Sequence, residues 1–149
     1  MVRVIAVHMN AAPGWTDMST HWGNIRVMIV NDHPIMRVGL RLAVQRESGM
    51  QVACEVGNAA QALLELERCR PDVVLIDLQL PQGSGLRAIE AIHALSPTSP
   101  IVMLTTFPDE VDVPPGNPPV PIMCVSKTAP SEEIMAAIRE AERRIHPFG

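Results

Sequence analysis

Tyrosine is missing from this chain, and lysine occurs once, at Lys127, among 12 basic residues. There is no surplus of positive charge: the formal net charge is −4 and the pI about 5.7. That excludes a broad electrostatic footprint for nucleic acid. Cysteine is scarce, with Cys54, Cys69 and Cys124 widely spaced and no CxxC pair or metal-like cluster. The expectation is three reduced, mostly buried thiols, not a disulfide scaffold or a zinc site. No apolar run reaches the length of a membrane span, and the N-terminus has no charged stretch leading into a long apolar one. The expected setting is therefore the cytoplasm, with no membrane partner. What the chain does hold, 47% hydrophobic and 19% charged over 149 residues, suits one domain with a sizeable core.

The organising stretch is Val73-Val74-Leu75-Ile76-Asp77. An apolar run without polar relief reads as a strand buried on both faces of a parallel sheet. It ends on a carboxylate, where the strands of an open α/β sheet face the ligand crevice. Taken alone, Asp77 could equally cap the Gly- and Pro-rich turn that follows, Leu78 to Leu86.

The regular pattern starts at Ile25. Ile25 to Val30 reads as a strand ending on Asn31-Asp32-His33-Pro34, and Pro34 fits the first turn of a helix. Met36, Gly39, Leu40, Ala43 and Val44 then follow at core-facing helical spacing, with Arg37, Arg41 and Gln45 opposite. Met50 to Val56 is a second strand. Asn58 is the expected cap of a helix burying Ala59, Ala62, Leu63 and Leu66, closed by Pro71. After the Asp77 strand comes a helix over about Leu86 to Leu95, with Ile89 and Ile92 inward. The fourth strand, Ile101 to Leu104, ends on Thr105 and Thr106, and the fifth, Ile122 to Val125, on Ser126 and Lys127. The last helix starts near Ser131 and buries Ile134, Ala137, Ile138, Ala141 and Ile145, with Arg143 and Arg144 in its final turn. Residues 1–24 lack this regularity, so they read as a loose extension or an added edge strand, and residues 25–149 as the domain proper. Strands alternating with helices through short loops predict an α/β fold, a five-stranded parallel sheet in the order 2-1-3-4-5.

In that topology four strand ends converge. They deliver Asn31 and Asp32, Asp77, Thr105 and Lys127: an amide, two carboxylates, a hydroxyl and an ammonium. Such a set suits a divalent cation and a phosphoryl group. A hard cation takes oxygen ligands and keeps several waters, so two carboxylates and a carbonyl just after Asp77 suffice. Phosphoryl transfer needs positioning and charge neutralisation, and a carboxylate can be the nucleophile.

These residues resemble the receiver domain of bacterial two-component response regulators, LuxR type. Asn31-Asp32-His33-Pro34 is similar to the acidic pocket and its following His-Pro, and Asp77-Leu78-Gln79-Leu80-Pro81 with Gly85-Leu86 to the phosphoacceptor turn. Thr105 stands where the family has its switch hydroxyl, and Lys127 where it has the lysine that binds the phosphoryl group. The likeness covers roughly 25–146. It implies a flavodoxin-like topology, a signalling role without enzymatic activity, and phosphorylation of Asp77 by a histidine kinase. It also implies Mg²⁺ held by Asp32, Asp77 and the backbone carbonyl of Gln79, with Asn31 acting through water, and a homodimer. DNA would be reached only through a C-terminal domain not present in this chain.

Three features depart from the family. Asn31 replaces the outer acid, which removes a negative charge and predicts weaker Mg²⁺ binding. Six of the 14 prolines fall within 108–121, where a receiver has its fourth helix. Interior prolines cost a helix about 3 kcal/mol each, so an irregular segment is expected to replace it. Cys124 stands where the family has its pivoting aromatic. These departures keep open a phosphorylation-independent pseudo-receiver that acts by dimerisation, partner contact or ligand binding. A haloacid-dehalogenase-like phosphatase would need a second acid at position 79, which is Gln79. A dinucleotide-binding domain would need a G-x-G-x-x-G turn, and a flavodoxin finds no tyrosine and two misplaced tryptophans. His33 reads as a packing or capping residue.

Overall fold

Aliphatic runs with no polar break build the middle of the molecule, since each side chain moved out of water contributes about 1.5–3 kcal/mol. The computed structural model describes residues 2–4, 24–77, 79, 85–108 and 122–145. Its strands are β1 (Val2–Val4), β2 (Ile25–Val30), β3 (Met50–Val56), β4 (Val73–Asp77), β5 (Ile101–Thr105) and β6 (Ile122–Ser126). Its helices are α1 (Pro34–Arg46), α2 (Ala59–Cys69), α3 (Gly85–Leu95) and α4 (Ser131–Ile145). They form one sheet in the order β1-β6-β5-β4-β2-β3. From β3 to β6 all pairings are parallel, which is the expected 2-1-3-4-5 order counted from Ile25. To these five parallel strands Val2–Val4 adds a sixth, an antiparallel edge against Met123–Val125. The proline-rich stretch 109–121 lies outside the described residues.

The alternation of side chains across each strand divides the core in two. Met28, Val30, Val74, Ile76, Ile101 and Met103 meet Ala62 and Leu66 of α2 and Ile89 and Ile92 of α3. On the opposite face Val27, Ile29, Leu75, Val102 and Leu104 meet Leu40 and Val44 of α1 and Ile134 and Ile138 of α4. β4 is buried along its whole length between β2 and β5. Sliding it by one residue would swap its side chains between two differently packed cores and carry Asp77 off the polar end of the sheet, so the position of its last residue is held by the core.

Helix ends follow local chemistry. Asn58 Oδ1 accepts from the Gln61 N–H at 2.8 Å, the expected cap. At the other end of α2 the chain turns left-handed at Arg70 (φ 46°), whose N–H donates to the Leu66 carbonyl, before Pro71. Three expectations need correction. Gly39 is exposed, because α1 turns only Leu40 and Val44 fully inward, with Met36 and Ala43 half-buried. Ile145 is half-buried, and Met135 joins the buried face of α4 instead. His33 occupies the cap position of α1 but is exposed and makes no side-chain cap bond among the described residues. No helix among the described residues is long and apolar enough to cross a membrane.

Candidate functional site

The parallel strands end together, and registry decides what meets there. Asp77 pairs with Leu104, one residue before Thr105, and Thr105 pairs with Ser126, one residue before Lys127. On the other side Val30 pairs with Ile76, so one further step sets Asn31 beside Asp77. The sequence-predicted residues of β2, β4, β5 and β6 therefore share one edge of the sheet.

Asp77 is the centre. It is 2% exposed, yet it is an acid, and a buried charge requires partners. Lys127 Nζ lies 2.8 Å from Asp77 Oδ1 and the Gln79 N–H donates to the same oxygen at 2.9 Å. Both contacts fall on Oδ1, so neither engages Oδ2. Lys127 also donates to Gln79 Oε1 at 2.9 Å, and the Thr106 hydroxyl donates to that oxygen at 3.2 Å. The ammonium is thus fixed by two acceptors and its backbone N–H is tied to the Thr105 carbonyl at 2.9 Å. Thr105 is buried, and its hydroxyl accepts a long bond from the Phe107 N–H at 3.4 Å.

Asn31 and Asp32 behave differently from each other. Asn31 is fully buried, and its Oδ1 accepts from the His33 N–H at 2.8 Å, while Nδ2 has no partner among the described residues. Asp32 is exposed. The end of β2 is braced by Arg37, whose guanidinium donates to the Asn31 carbonyl at 2.7 Å and lies 4.0 Å from Glu55. Arg41 completes this brace at 2.8 Å from Glu55.

A divalent cation can be tested against these donors. Among the described residues no group of three His, Cys, Asp or Glu side chains could hold a metal. The orphaned Asn31 Nδ2 is a hydrogen-bond donor, which offers nothing to a cation. What remains, the carboxylates of Asp32 and Asp77 with a backbone carbonyl, fits a hard cation that keeps most of its own water. Asp32, Asp77 and Gln79 would hold it, and Asn31 would reach it through water only.

Three participants escaped the sequence reading. The Gln79 side chain, the Thr106 hydroxyl and the Arg37–Glu55 brace carry no motif. Gln79 could have been found from its place two residues beyond Asp77, where a turn folds back on its own strand. Helical spacing alone sets Arg37 and Arg41 on the outer face of α1 and says nothing of this brace.

With that geometry in place, comparison with known proteins points one way. The family model described as the response regulator receiver domain matches residues 27–139. The chain is similar to the transcriptional regulatory protein YxjL of Bacillus subtilis, 34% identical over 119 residues, which is 80% of this chain and 55% of that protein. It is also similar to the nitrate/nitrite response regulator protein NarP of Escherichia coli, 38% identical over 88 residues, 59% of this chain and 41% of that one. The chain thus spans about half the length of these curated relatives. Among solved structures it resembles the PhyR response regulator REC domain of Erythrobacter litoralis, at TM-score 0.67 and 28% identity, over 80% of this chain and 90% of that one. A two-component response regulator of the LuxR family from Aurantimonas is similar at TM-score 0.67 and 26% identity, over 80% and 86%.

Proposed function

The chain belongs to the response regulator receiver domain family, and on that premise we propose that Asp77 accepts a phosphoryl group from a histidine kinase. The observation that carries this is the buried Asp77 carboxylate held at the end of the central strand by Lys127, 2.8 Å away. Lys127 and the Gln79 N–H fix Oδ1 and orient the carboxylate, so that Oδ2 is the oxygen turned to the donor. Attack by Oδ2 forms a P–O bond, the P–N bond of the phosphohistidine breaks, and the imidazole keeps the electron pair. Lys127 then moves its charge from the carboxylate to the phosphoryl oxygens, and Thr105 turns its hydroxyl from the Phe107 N–H toward them. Mg²⁺, when bound, supplies charge neutralisation on the transferring group; Asn31 weakens its binding.

In this proposal residues 25–149 are the receiver and residues 1–24 its extension. The domain acts in the cytoplasm as a phosphoryl acceptor without enzymatic activity of its own. Its phosphorylated form is a homodimer, and it controls transcription through a DNA-binding domain outside this chain. The names of relatives such as YxjL and NarP support that output.

Phosphoramidate offers the same P–N bond as phosphohistidine. With it and Mg²⁺, light scattering should show dimer formation by the wild-type chain and none by Asp77→Asn. A phosphorylated chain that stays monomeric refutes the dimer, and absence of any phosphorylated species refutes the acceptor role.

A further inference from the structure

Away from the strand ends, two thiols face each other. Cys54 lies on β3, the edge strand, and Cys69 is the last residue of α2, which packs over it. Cys54 Sγ donates to Cys69 Sγ at 2.7 Å. A disulfide bond is about 2.05 Å long, so closure requires the sulfurs to approach by only about 0.7 Å. The helix ends at Cys69, with left-handed Arg70 next, so closing this gap leaves no further helical turn beyond Cys69 to distort.

We propose that Cys54 and Cys69 are a redox modification site, a dithiol that closes to a disulfide in reaction with a low-molecular-weight disulfide. Cys54 is half-buried and lines a cleft of about 270 Å³ together with Glu55, Gln61, Leu64 and Arg68. Cys69 is buried behind it. Cys54 therefore meets the reagent first. Its sulfur attacks the reagent disulfide, that S–S bond breaks, and one small thiol leaves with the proton. Cys69 then attacks Cys54 Sγ and expels the second small thiol. Two protein thiols are oxidised and one reagent disulfide is reduced to two thiols. Burial, then the contact with Cys69, pushes the Cys54 thiol up to about 12, which keeps the thiolate scarce and the first step slow.

Cys124 is no competitor. It lies on β6, separated from β3 by β5, β4 and β2, four strand spacings or about 19 Å. The closed bond would tie the free edge of the sheet to α2 across a 15-residue separation, 69 − 54.

The test treats the full chain with bis-hydroxyethyl disulfide, followed by alkylation and intact mass. The expected result is loss of two hydrogen atoms, a Cys54–Cys69 peptide in the non-reducing digest, and a urea midpoint shifted upward until reductant restores it. Cys54→Ser and Cys69→Ser should each abolish the loss while keeping the wild-type circular dichroism. A wild-type chain that stays fully reduced, stops at a mixed disulfide on Cys54, or links through Cys124 overturns the proposal, whatever the variants do.

Discussion

Lys127→Met removes the cation from a carboxylate that is 2% exposed. At 2.8 Å and an effective dielectric constant of about 20, the gross attraction between Lys127 and Asp77 is about 6 kcal/mol. Desolvation of the buried acid and the partial exposure of Lys127, 21%, cancel most of it. A loss of about 2 kcal/mol remains, much of it the cost of leaving Asp77 buried and unpaired. The decisive assay is a double-mutant cycle in urea. Asp77→Asn removes the charge that needs Lys127 while its side-chain oxygen can still accept from the Gln79 N–H. The pair Asp77→Asn with Lys127→Met should therefore be more stable than Lys127→Met alone, with a coupling of about 1–3 kcal/mol. Additivity to within about 0.5 kcal/mol would refute the claim that the two side chains form one electrostatic unit.

Asn31→Asp keeps an acceptor for the His33 N–H, removes the orphaned Nδ2 and adds a charge beside Asp77, so Mg²⁺ affinity by calorimetry should rise about tenfold, or about 1.4 kcal/mol; unchanged affinity contradicts the role given to Asn31. His93 has a buried Nδ1 without a partner among the described residues, and burial lowers its pKa below 6.5, so its contribution to stability is present above 6.5 and lost as pH falls through the lower folded value. Urea midpoints between pH about 7 and about 5 should show that loss in the wild type and less of it in His93→Gln. Leu75→Ala, at a fully buried position of β4, should cost about 2–5 kcal/mol, read in the same assay, with the residual cavity setting where in that range it falls.

The strands were legible because a parallel sheet covered on both faces demands unbroken apolar runs, and β4, β5 and β6 are buried over almost all their residues. Their polar ends, Asp77, Thr105 and Lys127, were legible for the complementary reason: each apolar run breaks off on a polar residue, even where, as at Asp77 and Thr105, that residue stays buried. Contacts made by flexible side chains were not. Whether Gln79 turns its amide to Lys127, or Arg37 folds onto Asn31 and Glu55, depends on rotamers and tertiary packing that no periodicity encodes. Helical spacing sets Gly39 in a core stripe, but no element among the described residues covers that side of α1, and Ile35, Val38 and Leu42 are likewise exposed. The approach of Cys54 to Cys69 joins a strand and a helix end 15 positions apart and carries no signal in spacing.

The central claim is that Asp77 is a working phosphoacceptor despite Asn31. Intact mass after incubation with acetyl phosphate, with and without Mg²⁺, tests it most directly beside an Asp77→Asn control. The wild type alone should gain one phosphoryl group, dependent on Mg²⁺ and at a higher Mg²⁺ requirement than Asn31→Asp. No gain under any Mg²⁺ concentration, or an equal gain by Asp77→Asn, would contradict it and turn attention to signalling without phosphate.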